Sequence, residues 1–381
     1  MKKKVQNLQK KRETLGQYFT KPEIVQRLIQ LLLSYKQYNK KIRILEPSAG
    51  TGNFIKELNK KGFFDITSYE IDEKLSEDPK DFFLQPLNQK FDLIIGNPPF
   101  SKYNLKESYY FPERYIKEKV TPLIYLNDKL LKKEKIVIEN TFILKAIKHL
   151  KNKNSSIGFV LPVSFFIKGK NREIKQIINR TFSTIIIYQN DKIWFDHNIP
   201  CCFVIFTNID ALKDNILLLY EDGQEVKEVL KKERLINEEV IPHSYLYKKK
   251  NQTKGSPLKD FLEEKRVNYK KSYDKNNING ANITEKNKVT TKPENFCLAI
   301  TRVGNSSIGK TGLIDLNEDV LNDMFYVFKF KEEYNKNNKI KEQICDILNK
   351  SQDYFKNITN RVGSKSIKKE DVLNFKVELK V

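Results

Sequence analysis

Ile42-Arg43-Ile44-Leu45-Glu46-Pro47-Ser48-Ala49-Gly50-Thr51-Gly52-Asn53-Phe54 decides the fold of this 381-residue chain. The first four residues read as a short buried strand, and the small residues after them let the backbone turn sharply and come close to a ligand. A helix opening after Gly52 points its N–H groups back at the same turn. A strand feeding a helix through a glycine-rich turn is the unit of an open α/β sheet, whose ligands sit at the carboxyl ends of the strands. The stretch has neither the G-x-x-x-x-G-K-[ST] spacing of a phosphate loop nor the G-x-G-x-x-G of a dinucleotide fold, so its glycines alone leave the ligand open.

Moving outward, Asp65-Ile66-Thr67-Ser68-Tyr69 reads as a second strand ending at Glu70 and Ile71. A carboxylate there commonly accepts hydrogen bonds from ribose hydroxyls, although by itself Glu70 equally suits a solvated strand end. A third apolar run, Phe91-Asp92-Leu93-Ile94-Ile95-Gly96, leads into Asn97-Pro98-Pro99-Phe100. The two prolines fix φ and remove two backbone donors, which leaves carbonyl oxygens as acceptors. Asn97 adds a side-chain amide oxygen and Phe100 a flat apolar face. The result is a rigid cup suited to an exocyclic amino group and the ring that bears it. A tight polar turn ending in an aromatic is the plain structural alternative.

The 45–54 stretch resembles the cofactor loop of S-adenosylmethionine-dependent DNA methyltransferases, and Asn97-Pro98-Pro99-Phe100 resembles their amino-methylating loop. Upstream, Leu15-Gly16-Gln17-Tyr18-Phe19-Thr20-Lys21-Pro22 is similar to the family's N-terminal cofactor motif. The motif order resembles that of gamma-type adenine-N6 enzymes of restriction-modification systems. The resemblance implies an α/β fold: a Rossmann-like class I methyltransferase sheet with helices on both faces, plus a smaller mixed α+β carboxyl-terminal recognition domain. It implies S-adenosylmethionine contacts at Tyr18, Thr20, Pro22, Glu46, Pro47, Ser48, Ala49, Gly50, Gly52, Glu70, Ile71, Asp81, Phe82 and Asn97. Asp81 would meet the cofactor's adenine amino group and Phe82 its ring, with Glu77 and Asp78 as competitors. The catalytic set would be Asn97, Pro98, Pro99 and Phe100, together with a second base-stacking aromatic. Phe195 fits that role by its distance to the following strand; Trp194 competes, and a core plug under the loop is the structural alternative.

Thr20 has a local reading as well. Thr20-Lys21-Pro22-Glu23 fits a capping box opening an amphipathic helix from Ile24, and a helix N-terminus also suits a methionyl carboxylate. Both roles stay open.

Lysine and arginine outnumber aspartate and glutamate by 70 to 48, a formal charge of +22 that suits a polyanionic partner and equally follows from lysine enrichment. No run approaches the roughly 18 apolar residues of a membrane span, and Met1-Lys2-Lys3-Lys4 lacks a signal's apolar stretch. Four cysteines without metal-ligand spacing read as reduced core thiols. A cytoplasmic, monomeric protein without a bound metal or membrane is expected.

Residues 102–135 show no sheet pattern and read as a flap over the site or a surface insertion. Helices are expected near 140–150 and 174–178, a strand at 157–162, and strands at 185–188 and 202–206 that pair antiparallel at the sheet edge. After about residue 212 the α/β rhythm fades. The expected organisation is a catalytic domain at 1–211, a linker at 212–245 and a DNA target-recognition domain at 246–381. Within the last, the stretches 301–312 and 363–373 are similar to target-recognition segments, which makes Arg302, Lys310 and Lys365 candidate DNA contacts.

The function these readings imply is methyl transfer to adenine N6 in double-stranded DNA after rotation of the base out of the stack. Alternatives are RNA adenine methylation, protein glutamine methylation, and a catalytically silent DNA-binding specificity subunit. A separate cognate restriction endonuclease is compatible with the chain; a fused one would need a further domain.

Overall fold

The computed structural model describes residues 16–100, 102–104, 135–197, 199–250, 254–267, 278, 282–285, 296–304, 306–317, 319, 321–359 and 366–379. The chain forms two units, Met1–Pro242 and His243–Val381.

In the first unit, runs of branched and aromatic residues make the strands. β1 (Ile44–Glu46), β2 (Ile66–Ser68), β3 (Leu93–Gly96), β6 (Ser156–Pro162), β7 (Thr184–Asn190), β8 (Cys201–Thr207), β9 (Asn215–Asp222) and β10 (Gln224–Lys231) join one sheet in the order β10-β9-β7-β8-β6-β3-β1-β2. β3, β6, β7 and β8 are buried at every residue, the pattern of strands covered on both faces. Strand β1 pairs parallel with β2 on one side and β3 on the other, so the chain reverses direction of travel across the sheet at β1. The crevice at the carboxyl ends of β1 and β3 is therefore a topological switch point, where such sheets bind ligands. Both motif loops open into it.

Four helices cover the sheet: α1 (Pro22–Tyr35), α2 (Asn53–Lys60), α3 (Ile138–His149) and α4 (Arg172–Thr181); the short α5 (Arg234–Asn237) follows β10. Helix α1 lays Ile24, Val25, Leu28, Ile29, Leu31 and Leu32 into the core. Its cap differs from the expected box. Lys21 is the N-cap residue with no side-chain cap bond, and the buried Thr20 hydroxyl has no hydrogen-bond partner among the described residues. Pro22 at the first turn lacks an N–H, so part of the donor set a cap would serve is missing.

Two further expectations change. The pair β7–β8 is antiparallel but interior, because β9 adds parallel to β7 and β10 follows as the edge strand. The stretch expected as a linker at 212–245 thus supplies two strands to the first sheet. Ile216, Leu217, Leu218 and Leu219 are buried along β9, while the charges of β10 belong to an exposed edge, where they discourage edge-to-edge pairing. In the 102–135 stretch, β4 (Lys102–Asn104) pairs antiparallel with β5 (Lys135–Val137); residues 105–134 lie outside the described residues.

Within the second unit, which begins in α6 (Pro242–Lys250), β12 (Leu262–Glu264), β13 (Phe296–Thr301), β14 (Thr311–Asp315) and β15 (Phe325–Phe330) form an antiparallel sheet in the order β12-β15-β13-β14. Alternate residues of β13 feed opposite faces: Leu298 and Ile300 pack toward Ile344 and Leu348 of α7 (Asn338–Lys350), while Cys297 and Ala299 join Ile283, Phe325 and Val327. The short helices α8 (Gln352–Ile358) and α9 (Lys369–Leu373) follow, and β11 (Ser256–Pro257) pairs with β16 (Lys376–Val377). All four cysteines are free and buried, and no described helix is long and apolar enough to cross a membrane.

Two predictions arise from this packing. His149 ends α3 fully buried, its Nδ1–H donating to the Gln89 carbonyl (2.9 Å) and its ring lying against Phe82 and Phe91. Burial pushes the imidazole down to about 4, assisted by Lys145 and Lys90 against the Gln89 bond. The folded state binds fewer protons than the unfolded one between that value and 6.5, so stability falls as pH falls through this window. Relative to His149→Phe, the wild-type chain is expected to lose about 2 kcal/mol between pH 6.5 and 4.5 in denaturant titrations. In the second unit, a Cβ on Gly312 would stand 2.2 Å from the Ile283 carbonyl oxygen and 3.1 Å from its side chain. Gly312→Ala should therefore cost about 1–3 kcal/mol, read as a lowered thermal midpoint for that unit.

Candidate active site

The glycine loop is stapled to the second strand by a carboxylate. Gly50 and Gly52 take positive φ (55° and 73°), and Gly52 caps α2 in the left-handed region that favours glycine. Glu70 accepts from the Gly50 N–H (2.7 Å) through Oε2 and from the Asp72 N–H (2.9 Å) through Oε1, while the Ala49 N–H donates to the Tyr69 carbonyl (2.9 Å). Each Glu70 oxygen keeps a further lone pair. Glu46 at the end of β1 is 1 % exposed, and its Oε2 has no partner among the described residues. Burial, reinforced by the charge of Glu70, raises its carboxyl well above the usual range. Gly96 makes room for it, since a Cβ there would lie 2.5 Å from Glu46 Oε1.

The N-terminal motif crosses the same crevice. Gly16 (φ 61°) accepts through its carbonyl from the Phe100 N–H (3.2 Å), and a Cβ on it would meet the Phe100 carbonyl at 2.8 Å. The Tyr18 carbonyl accepts from Asn97 Nδ2 (2.5 Å), and the Thr20 carbonyl from Asn53 Nδ2 (2.8 Å). Gln17 donates to Asp72 (3.1 Å), and the Lys21 N–H to the Trp194 carbonyl (3.0 Å).

Asn97 is thereby fixed at both its amide nitrogen and its backbone. Ser48 Oγ donates to the Asn97 carbonyl (3.1 Å), and the buried side-chain Oδ1 is left without a partner among the described residues. Beside it, Tyr18 stacks on Phe100 (centroids 5.9 Å apart, planes at 27°) and Phe195 meets both rings at 6.0 and 6.1 Å. The two competing aromatics separate here. Phe195 joins the Tyr18–Phe100 cluster and is itself buried, whereas Trp194 turns to Tyr188 and donates from Nε1 to Asn190 Oδ1 (2.6 Å).

Opposite, Asp81 caps a short 3-10 turn by accepting from the Phe83 N–H (2.8 Å), and Phe82 is buried against Tyr69 and Phe142. Lys145, absent from the sequence expectations, holds this turn from below: its Nζ donates to the carbonyls of Phe83 (2.8 Å) and Gln85 (2.7 Å). Burial lowers its ammonium to about 8, against the pull of Asp81. The available signal was a lysine three residues after Phe142, on the apolar stripe of its helix.

Thr20, Glu46, Ser48, Glu70, Asp81 and Asn97 line one cleft, together with Tyr18, Pro47, Ala49, Gly50, Ile71, Phe82 and Pro99. Pro22 and Gly52 open the helices at its rim, and Pro98 and Phe100 belong to the 97–100 loop that borders it. Of the candidate DNA contacts, Arg302 and Lys310 lie in the second unit and Lys365 falls outside the described residues. Among the described residues no group of three or more His, Cys, Asp or Glu is placed to hold a metal.

A family model described as the Eco57I restriction-modification methylase matches residues 20–195. The type II methyltransferase M.HincII of Haemophilus influenzae is 33% identical over 223 residues, 56% of this chain and 41% of that protein. M.HindII of H. influenzae strain Rd is also 33% identical, covering 56% of this chain and 40% of its own length. The chain thus spans about two fifths of the curated relatives it matches. Among solved structures, the type IIG restriction endonuclease BpuSI superposes with a TM-score of 0.54 at 12% identity, covering 94% of this chain and 58% of that one. The type IIL restriction-modification enzyme MmeI, solved with DNA, gives 0.52 at 12% identity over 96% and 68%. The chain thus shares its fold with BpuSI and MmeI, and its residues 20–195 are similar to the Eco57I restriction-modification methylase family.

Proposed function

We propose that this chain transfers a methyl group from S-adenosylmethionine to adenine N6 in duplex DNA. The observation that carries the reading is Asn97: its amide nitrogen is fixed by the Tyr18 carbonyl, which leaves a buried, unpartnered oxygen facing the cleft beside an aromatic cluster. Such an oxygen, with the Pro98 carbonyl, accepts hydrogen bonds from an exocyclic amino group. Those bonds draw the nitrogen toward sp³ geometry, localise its lone pair, and stabilise the charge that develops on it. Phe100 would hold the base by stacking, with Phe195 behind it.

The residues present fit the cofactor. Thr20 Oγ1 and Glu46 Oε2 are buried polar atoms without partners among the described residues, just before the N-cap of α1 and at the end of β1. They suit the methionyl carboxylate and ammonium, and an ammonium beside Glu46 removes the reason for its raised carboxyl. Glu70 has lone pairs left for ribose hydroxyls, and Asp81 and Phe82 line the part of the cleft where an adenine amino group and ring would lie. When bound, S-adenosylmethionine supplies an electrophilic methyl group on a sulfonium. Excluding water from this crevice and orienting the acceptor nitrogen is the protein's part.

For the DNA, the second unit offers a basic cleft. The Ile367 N–H donates to the Arg302 carbonyl (3.0 Å), and Val303 bridges to Ser366, so the two recognition-like stretches meet there. Arg302 and Lys369 both lie over the Tyr326 ring (5.7 and 5.5 Å), and the exposed Lys265 and Arg266 line the same cleft. Cations around an aromatic platform suit a phosphate backbone and an unstacked base. Lys310 precedes β14 and is not among the lining residues.

Tritium transfer from labelled cofactor tests the reading. Duplex DNA containing adenine should be labelled, and Asn97→Ala should lower turnover by about 10³-fold while leaving cofactor affinity within about twofold. Labelling of RNA or of glutamine peptides in preference to DNA would reverse the acceptor assignment. For the second unit, Lys265→Ala with Arg266→Ala should weaken DNA binding uniformly across sequences and reduce the salt slope by about one to two. Cofactor binding, followed by calorimetry, should not change.

A further inference from the structure

The Phe195 loop is held by a buried polar chain that the methyl-transfer reading does not use. Arg27 of α1 donates from Nε to Glu221 Oε2 (2.9 Å), the same oxygen that accepts from the Tyr188 hydroxyl. Tyr188 OH in turn accepts from Asn190 Nδ2 (2.9 Å), and Asn190 Oδ1 accepts from Trp194 Nε1 (2.6 Å) and from the Lys192 N–H (3.2 Å). The chain closes on itself, because the Trp194 carbonyl takes the Lys21 N–H at the start of α1. Arg27 also lies over the Tyr188 ring (5.6 Å), and Trp194 stacks on that ring (6.4 Å, 26°). Tyr188, Asn190 and Trp194 are all buried. Burial pushes the Tyr188 hydroxyl up to about 12, so it stays a donor to Glu221 at neutral pH.

Apolar packing alone would cover the core at lower cost than three buried hydrogen-bonding side chains. What the polar chain adds is a defined geometry. It fixes the backbone at Lys192 and the Trp194 side chain, and the Lys21 N–H holds the Trp194 carbonyl, one residue before the ring that meets Tyr18 and Phe100. It also ties that backbone to α1, whose N-cap residue Lys21 directly follows Thr20, a lining residue of the cleft. We propose that the Arg27–Glu221–Tyr188–Asn190–Trp194 chain is a positioning device that sets the Phe195 ring against Phe100 for the target base and links its placement to the cofactor-side helix. The inference rests on the methyl-transfer reading and makes Tyr188 and Trp194 positioning residues.

Two variants remove one hydrogen atom donor each and keep an aromatic ring: Tyr188→Phe and Trp194→Phe. Each is expected to lower kcat on duplex DNA about tenfold, with the KM for S-adenosylmethionine changed less than about twofold. Trp194 is the only tryptophan of the chain, so its emission in Tyr188→Phe reports the loop directly and should shift to the red. The decisive measurement is the combination with Phe195→Ala. If the chain acts through Phe195, Tyr188→Phe costs less than about twofold more in that background; a loss of general stability would instead multiply. Unchanged kcat in both single variants, or multiplicative losses in the double variant, overturns the inference. Full turnover by Phe195→Ala overturns it as well, by removing its target. Failure of the underlying reading is distinct: the unaltered chain would then transfer no methyl group to DNA.

Discussion

The hydrogen bond from Asn97 Nδ2 to the Tyr18 carbonyl is the constraint on which the candidate site depends. An asparagine side chain free to rotate offers either a donor or an acceptor to its surroundings. Committing the nitrogen to a backbone oxygen commits the other end as an acceptor. That bond also joins two pieces of chain with different histories, a loop at the end of a central strand and an N-terminal segment outside the sheet. Gly16 allows the approach, since any side chain there would collide with Phe100. The same crossing brings Thr20 over the glycine loop, so acceptor chemistry and cofactor chemistry share one scaffold.

Around that crossing, carboxylates serve structure before chemistry. Glu70 holds the glycine loop through the Gly50 N–H and its own turn through the Asp72 N–H, and Asp81 shapes its turn through the Phe83 N–H. Glu46 is different: it is buried without a partner for one oxygen, a costly arrangement unless a ligand charge completes it. The ammonium of Lys145 and the neutral ring of His149 support the Asp81–Phe82 turn from the side away from the cleft. A charged group and a titratable one thus underlie the part of the site that is formally apolar.

The sheet's first half was legible in the sequence because its strands are short, apolar and punctuated by motif turns. Ile44, Ile66 and Leu93 fall in one register, as strands feeding a shared switch point should. The later boundary was not legible. The 212–245 stretch looks like a linker because β10 mixes Glu225, Lys227, Glu228 and Lys231 among its apolar residues, yet an edge strand has only one neighbour to satisfy and tolerates that charge. The antiparallel sheet of the second unit was hidden for a related reason: β13 reads as one apolar run, since its two faces are both buried, by α7 on one side and by Ile283 and Leu321 on the other. Thr20 shows the opposite failure. Its spacing to Glu23 satisfies a capping pattern, but Lys21 is the cap, and only the backbone geometry distinguishes the two. Lys145 was missed because lysine on a helix is read as solvent-facing unless its neighbours are counted.

Contacts that define the site join residues far apart along the chain: Asn97 to Tyr18, Trp194 to Lys21, and Glu221 to Arg27, the last across 194 positions. Closing such loops is slow, and none of these bonds can form during synthesis until the distal partner has left the ribosome. The first-made segment must therefore wait, unpaired, for strands made long after it. A chain released before β9 would hold both signature loops and the Asn97–Tyr18 bond, and still lack the Glu221–Arg27 tie that anchors α1 to the sheet. The tie between α1 and the sheet is therefore a property acquired late in the life of the nascent polypeptide.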